Sequence, residues 1–263
     1  MFTMRKSLLA VSTVAALGAP MLASAQQAAT SPYTFTGNVS LASEYLYRGI
    51  AQTRGKPAIQ GGFDFGHSSG FYLGTWGSNI SWISDSVPGS SASMEWDVYG
   101  GYKGTFAKDF GYDVGALTYI YPGTGFGSFD PNTTEIYGAL SWKWLTAKYS
   151  YSVTKLFGWV NPTTNEDSKG SGYFDLTGNY DVGSGFTLVG HIGYQDVRHY
   201  GDASYTDWKL GVNKDLGFGT LGLFYSDTNA NADCGGVASQ NPYCINNYDL
   251  GKGRVLVTFG KTL

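Results

Sequence analysis

Charged side chains make up only 14 % of this sequence, yet many recur at alternate positions inside apolar runs. Glu95 and Asp97 alternate with Met94, Trp96 and Val98, Asp175 sits between Phe174 and Leu176, and Asp207 and Lys209 flank Trp208. Successive side chains of a β-strand point to opposite faces, so each such run carries one wet face and one apolar face. The wet face collects Glu44, Arg48, Asp64, Glu95, Asp97, Lys103, Asp113, Glu135, Lys148, Asp175, Asp207, Lys209 and Arg254, eight acids and five bases. Opposite charges on neighbouring strands can pair across a lumen, and rings of such groups bias the passage of ions. These thirteen residues are therefore the expected pore-lining set, and the acidic excess points toward cations.

Other patterns suggest bond-making chemistry, and each lacks the element that the chemistry requires. Gly66-His67-Ser68-Ser69-Gly70 fits the nucleophile elbow of hydrolases, but that elbow needs a helix after the turn, and Phe71 to Trp82 continues as a strand. Gly217-Phe218-Gly219-Thr220-Leu221-Gly222 fits a dinucleotide fingerprint without the helix N-terminus that would hold a pyrophosphate. Asp227, Asn229, Asn231 and Asp233 have the odd spacing of a calcium loop, yet Ala232 and Ala238 stand where Gly and a bidentate Glu belong. A solvated polar loop accounts for them, with a weak external calcium site as the alternative. Only His67, His191 and His199 could act as bases near neutral pH. His199, near Asp196 and Asp202, leaves a rim enzyme as a minor alternative. No catalytic residue, cofactor or metal is expected. Cys234 and Cys244, ten apart in a polar stretch of an exported chain, are read as a loop disulfide, with two free thiols as the alternative.

The elements that position these residues begin after a secretory signal. Arg5 and Lys6 supply its basic start, Leu8 to Gly18 its apolar run, and Ala23-Ser24-Ala25 its small-residue cleavage pattern. Residues 1–25 are thus read as a signal peptide and residues 26–263 as one β-domain; Met4 is an equally good initiator. With 38 Gly, 16 % aromatics and a mean hydropathy of −0.16, the composition suits a barrel with a lipid face and a wet face better than a soluble core. After Gln26 no stretch approaches the roughly eighteen apolar residues of a membrane helix. A net charge of −3 without a basic stripe gives nucleic acid no foothold.

Period-two alternation runs through nearly the whole domain, which is accordingly all-β. Twelve runs start near Tyr33, Pro57, Phe71, Ala92, Tyr112, Asn132, Leu145, Ser171, Phe186, Ala203, Gly219 and Tyr248. Their connections alternate short and long. Tight turns are expected at His67–Gly70, Ala107–Gly111, Lys143–Leu145, Asp181–Gly185 and Lys214–Gly219. Larger loops are expected at Arg48–Lys56, Ile83–Ser91, Tyr121–Pro131, Phe157–Gly170, Val197–Asp202 and Thr228–Asn247. That rhythm predicts a transmembrane up-and-down antiparallel barrel, with short periplasmic turns, longer external loops and both termini in the periplasm. Tyr45, Tyr47, Trp76, Trp82, Tyr119, Tyr121, Trp142 and Trp144 crowd the strand ends and are expected in the aromatic girdles. The last strand alternates Val255, Val257 and Phe259 but ends on Leu263, an imperfect form of a barrel's terminal assembly signal.

The stretch Ser40-Leu-Ala-Ser-Glu-Tyr-Leu-Tyr-Arg-Gly-Ile-Ala-Gln-Thr-Arg-Gly-Lys-Pro-Ala-Ile-Gln-Gly-Gly-Phe-Asp-Phe, ending at Phe65, resembles the TorF family of bacterial outer-membrane barrels. Ser69-Gly70-Phe71-Tyr72, Trp76-Gly77-Ser78-Asn79 and Glu95 to Tyr102 continue the resemblance, and Tyr121-Pro122-Gly123 and Thr134 to Tyr137 extend it more weakly. It implies an outer-membrane porin and brings neither substrate nor catalytic residues. The expectation is a channel for passive diffusion of ions or small polar solutes. Its partners would be outer-membrane lipid, the barrel-assembly machinery during biogenesis, and those solutes, with the barrel acting as a monomer. About twelve strands fall between the eight whose side chains fill a barrel and the roughly sixteen that leave it open. A closed structural or adhesive barrel, binding partners through its loops, is therefore the second expectation.

Overall fold

A strand buried on neither face cannot stand alone, and twelve of them here satisfy one another by closing into a ring. The computed structural model describes residues 31–235 and 241–263; the signal segment Met1–Ala25 and part of the Thr228–Asn247 loop lie outside the described residues. The barrel strands are β1 (Tyr33–Ala42), β4 (Ala58–His67), β5 (Phe71–Asn79), β6 (Met94–Ala107), β7 (Phe110–Ile120), β8 (Thr133–Trp142), β9 (Leu145–Ser152), β10 (Gly172–Gly183), β11 (Phe186–Asp196), β12 (Tyr205–Asp215), β13 (Thr220–Thr228) and β16 (Arg254–Thr262). Each pairs antiparallel with the barrel strands before and after it, and β1 closes the ring on β16 through Asn38↔Thr262 to Ala42↔Thr258. Closure leaves no edge of unpaired amides, the condition for crossing lipid with strands.

Eleven of the twelve expected starts fall within two residues of an observed strand. The exception is the last, expected near Tyr248, whereas β16 begins at Arg254. Tyr248–Asp249 (β15) pairs instead with Cys244–Ile245 (β14) in a loop hairpin. Asn246 and Asn247, at φ 48° and 62°, form its tight turn. Among the described residues the long loops also carry a short α-helix, α1 (Trp82–Ser86), and two single 3-10 turns, Leu156–Gly158 and Gly201–Ala203, which strand periodicity does not foresee.

The alternation sorts each strand's side chains as expected. Phe35 is 72 % exposed and Leu210 59 %, and Ile59, Phe63, Leu73, Val114, Ile136, Leu188, Leu223 and Val257 share this outer surface. A continuous apolar band of this kind is stable against lipid and costly against water. The inner face holds Gln60, Ser78, Glu95, Asp97, Asp113, Glu135, Lys148, Ser150, Asp207 and Asn213, all buried.

The short turns, the start of β1 and the end of β16 gather at one rim of the barrel, the long loops at the other. The first long loop does not stay at the rim. Its residues Tyr45, Leu46, Tyr47, Ile50 and Ala51 are buried, with Leu46–Tyr47 (β2) and Ile50–Ala51 (β3) paired as a hairpin inside the mouth. Arg48 and Gly49, at φ 47° and 79°, make its two-residue turn. A side chain at Gly49 would strike the Thr228 methyl and approach the Asp207 Cβ to 2.8 Å, so the hairpin tip lies hard against the β12–β13 wall.

Candidate functional site

The hairpin places one cation at the centre of the lumen. Arg48 Nη2 donates to Glu135 Oε2 at 2.7 Å on β8, and Nη1 donates to Gln195 Oε1 at 2.6 Å on β11. β8 and β11 lie several strands away from the β1–β4 junction that the loop connects, so Arg48 spans the lumen. Its guanidinium also lies 4.8 Å from the Tyr47 ring centre and 4.1 Å from that of Tyr173, a cation–π sandwich that fixes the planar group.

Around this centre the acids are held by tyrosines. Tyr45 donates to Glu95 Oε1 at 2.5 Å and Tyr121 to Oε2 at 2.8 Å. Tyr47 donates to Tyr119 Oη at 3.0 Å, and Tyr119 in turn to Glu135 Oε2 at 3.4 Å. Tyr72 donates to Asp113 Oδ1 at 2.6 Å and also touches the Tyr137 hydroxyl, while Tyr99 donates to Asp64 Oδ1 at 2.7 Å. Lys148 and Lys103 lie over the Tyr137 and Tyr72 rings at 4.0 and 5.0 Å. Asp97 differs from the rest: it is 2 % exposed and its Oδ1 accepts no hydrogen bond.

A second polar cluster lines the opposite wall. His191 bridges Asp175 Oδ2 at 3.1 Å through Nδ1 and Asp207 Oδ1 at 2.8 Å through Nε2, and Tyr173 donates to Asp207 Oδ2 at 2.9 Å. The Tyr173 ring needs the bare backbone of Gly193, where a Cβ would collide with its hydroxyl. Lys209 lies 5.3 Å from the Phe224 ring centre, and Arg254 pairs with Glu44 at 2.8 Å near the mouth.

All thirteen charged residues expected inside are thus inside, eleven on strands and two, Glu44 and Arg48, on the inward loop. The aromatic expectation is corrected. Tyr45 and Tyr119 are fully buried, and Tyr47, Trp76 and Tyr121 are nearly so, within the barrel; Trp82 packs against the same cluster. Only Trp142 and Trp144, 43 % and 44 % exposed, face outward as girdle residues should. Strand phase carries the missed signal: Tyr119 has the parity of Asp113, and Tyr137 that of Glu135, which places these rings on the wet face. Gln195 and His191 sit on the same phase.

The motif residues are accounted for locally. His67 Nδ1 lies 2.8 Å from Ser69 Oγ in the turn before β5, and Gly217 lies in the turn before β13. Asn229 accepts from the Thr206 amide at 2.7 Å, Asn231 donates to the Asp202 carbonyl at 3.2 Å, and Asp233 accepts from the Gly235 amide at 2.9 Å, so these side chains turn to different neighbours. His199 Nδ1 lies 3.0 Å from the Asp167 carbonyl. Cys234 and Cys244 form a disulfide.

This fold is shared with solved porin structures. KdgM porin superposes with a TM-score of 0.50 at 10 % identity, covering 86 % of this chain and 97 % of that one. NanC porin superposes with a TM-score of 0.51 at 13 % identity, covering 87 % and 98 %. Identities this low speak for the fold alone. No curated protein matches the sequence. Residues 26–263 match the model of the family described as "Bacterial protein of unknown function (Gcw_chp)", and the chain therefore belongs to the Gcw_chp family.

Proposed function

We propose that this protein is a bacterial outer-membrane channel for passive diffusion of ions and small polar solutes, narrowed by the β2–β3 hairpin. The observation that carries the reading is the partition of charge. The outer face is an apolar band, while the inner face carries the thirteen charged residues together with tyrosine hydroxyls. A barrel serving only as a scaffold has no need of so many ionisable groups inside, since apolar side chains fill a narrow interior at lower desolvation cost. The acidic excess among the lining residues favours cations. The TorF resemblance around Ser40–Phe65 agrees with this reading, as does the barrel's likeness in fold to KdgM and NanC.

In this reading the short turns face the periplasm, the long loops face outward and the barrel works as a monomer in outer-membrane lipid, delivered by the barrel-assembly machinery. The chemistry is electrostatic and needs no catalytic residue or cofactor. The test is purified, refolded protein in a planar bilayer. Discrete conductance steps with a cation-selective reversal potential are expected, and silence across repeated insertions of folded protein would sink the channel. One observation favours a second reading, a closed barrel acting through its loops: the long-loop half of the interior is filled by buried tyrosines and the hairpin. A variant without residues 46–51 decides between the two. A narrowed channel conducts with the hairpin in place and conducts more without it, whereas a closed scaffold is silent until residues 46–51 are removed.

A further inference from the structure

The outward surface of the barrel is bounded by charge, and the sign differs between its two edges. On β11 the outer-face series Ile192, Tyr194 ends at Asp196, and on β13 the series Leu223, Tyr225 ends at Asp227, both at the long-loop rim. On β12 the series Trp208, Leu210 ends at Lys214, and on β16 the series Val255, Val257 ends at Lys261, both at the short-turn rim. Residues two apart on a strand share a face, so these four charges point outward rather than into the lumen. Because β11, β12, β13 and β16 are neighbours, a continuous apolar surface has Asp along one edge and Lys along the other. The β8–β9 turn adds Lys143, whose Nζ lies 4.8 Å from the ring centre of the outward Trp142.

The three short-turn lysines rest on apolar surface and have no counter-charge within the chain. Lys214 stands across from Phe186 on β11 with Nζ 4.1 Å from the ring centre, and one of its three N–H groups donates to the Ser184 carbonyl at 2.5 Å. Lys261 stands across from the exposed Val39 on β1. The ion pairs among the described residues all use arginine or histidine, and none uses a lysine. Two acids of the same rim, Asp181 and Asp215, accept from the amides of Gly183 and Gly217 in their own turns at 2.8 and 2.7 Å. A lysine stem laid along apolar surface carries its ammonium to the level of lipid headgroups. A headgroup phosphate there supplies the charge that the protein does not.

We propose that Lys143, Lys214 and Lys261 bind the phosphates of anionic phospholipids in the leaflet around the short turns, along the arc of the barrel from β9 round to β16. Charge complementarity selects this occupant. A zwitterionic headgroup also offers a phosphate, but its own ammonium competes with the lysines, and an anionic headgroup brings no such competitor. Asp196 and Asp227 repel the same headgroups at the opposite edge, so the two rims distinguish the leaflets. Each lysine beside an anionic membrane surface strengthens association about fivefold. The inference rests on reading the chain as a membrane barrel, and holds whether or not the lumen conducts.

The experiment places the folded barrel in nanodiscs of equal parts phosphatidylglycerol and phosphatidylcholine with matched acyl chains, and counts the lipids it retains by native mass spectrometry. Wild-type protein is expected to retain phosphatidylglycerol over phosphatidylcholine by at least about fivefold. Lys143→Gln, Lys214→Gln and Lys261→Gln combined should bring the ratio close to parity, and high salt during release should lower it in the wild type. Lys169→Gln, in a long loop, should leave it unchanged. A preference that survives the triple substitution, or one lost equally with Lys169→Gln, would overturn the proposal. A barrel that enters nanodiscs and retains both lipids equally overturns this inference alone, whereas one that never enters them removes the membrane reading and this inference with it. Heat-shifted gel mobility verifies that every variant is folded before its lipids are counted.

Discussion

Arg48 combines backbone strain with a buried charge that ties two distant strands together across the lumen. A non-glycine residue at φ 47° holds an unfavourable conformation, and here that conformation aims the guanidinium at Glu135 and Gln195. Removing one partner of a buried ion pair leaves the other uncompensated. Arg48→Ala is expected to lower the unfolding free energy by about 3–5 kcal/mol in a urea titration and to raise single-channel conductance. Unaltered stability would mean that Tyr119 and Lys148 suffice to hold Glu135. Asp97 predicts the opposite direction, because its buried Oδ1 is unpartnered beside the Glu95 carboxylate. Asp97→Asn is expected to stabilise the barrel by about 1–3 kcal/mol and to weaken cation preference in the reversal potential. A destabilised Asp97→Asn barrel would show that the carboxylate has a partner it needs.

Among the elements, the β2–β3 hairpin depends on Gly49 and the outer loop on its disulfide. Ala at position 49 would combine a positive φ with contact against Thr228 and Asp207. Gly49→Ala should therefore displace the hairpin, at a cost of about 1–3 kcal/mol, and make channel currents larger and noisier. Currents indistinguishable from wild type would remove the hairpin from the conducting path. The Cys234–Cys244 bridge closes a segment with a sequence separation of 10 and anchors Cys244 at the start of β14. Closing such a loop is worth roughly 3 kcal/mol of chain entropy. Serine at both positions should speed proteinase K cleavage between β13 and β16 on intact barrels, with the barrel core itself resistant.

For the whole molecule, the decisive property is the opposition of its two faces. Leu210 lies mid-strand on the outside and Lys209, its neighbour in sequence, lies inside over the Phe224 ring. Leu210→Arg should cost about 2–4 kcal/mol in lipid vesicles, as a charge at the bilayer midplane does. Thr206→Arg, nearer the strand end, should cost roughly 0–1 kcal/mol. Equal costs at both positions would argue that the band is not lipid-facing. The same opposition explains a composition poor in charge: a lipid face needs none, and the charges present collect on the wet side.

Much of this was legible in the sequence because a strand's face is a local property. Period-two alternation fixed which side Glu95, Asp97, Asp175 and Lys209 take, and turn residues such as Ser68–Gly70 and Ser184–Gly185 marked where strands reverse. The same phase places Tyr119 on the wet face, against the tendency of aromatics to gather in girdles at strand ends. The break between β15 and β16 was obscured because Tyr248 and Asp249 alternate like barrel residues while pairing in a loop. The strand number, the two faces and the rhythm of short and long connections follow from neighbours a few residues apart and are written in the chain itself. The inward turn of the first loop and the tyrosines that clamp the lumen acids come instead from the closed fold. Arg48 meets Glu135 and Gln195 across 87 and 147 residues, and contacts of that span arise from ring closure and register, which no local pattern encodes.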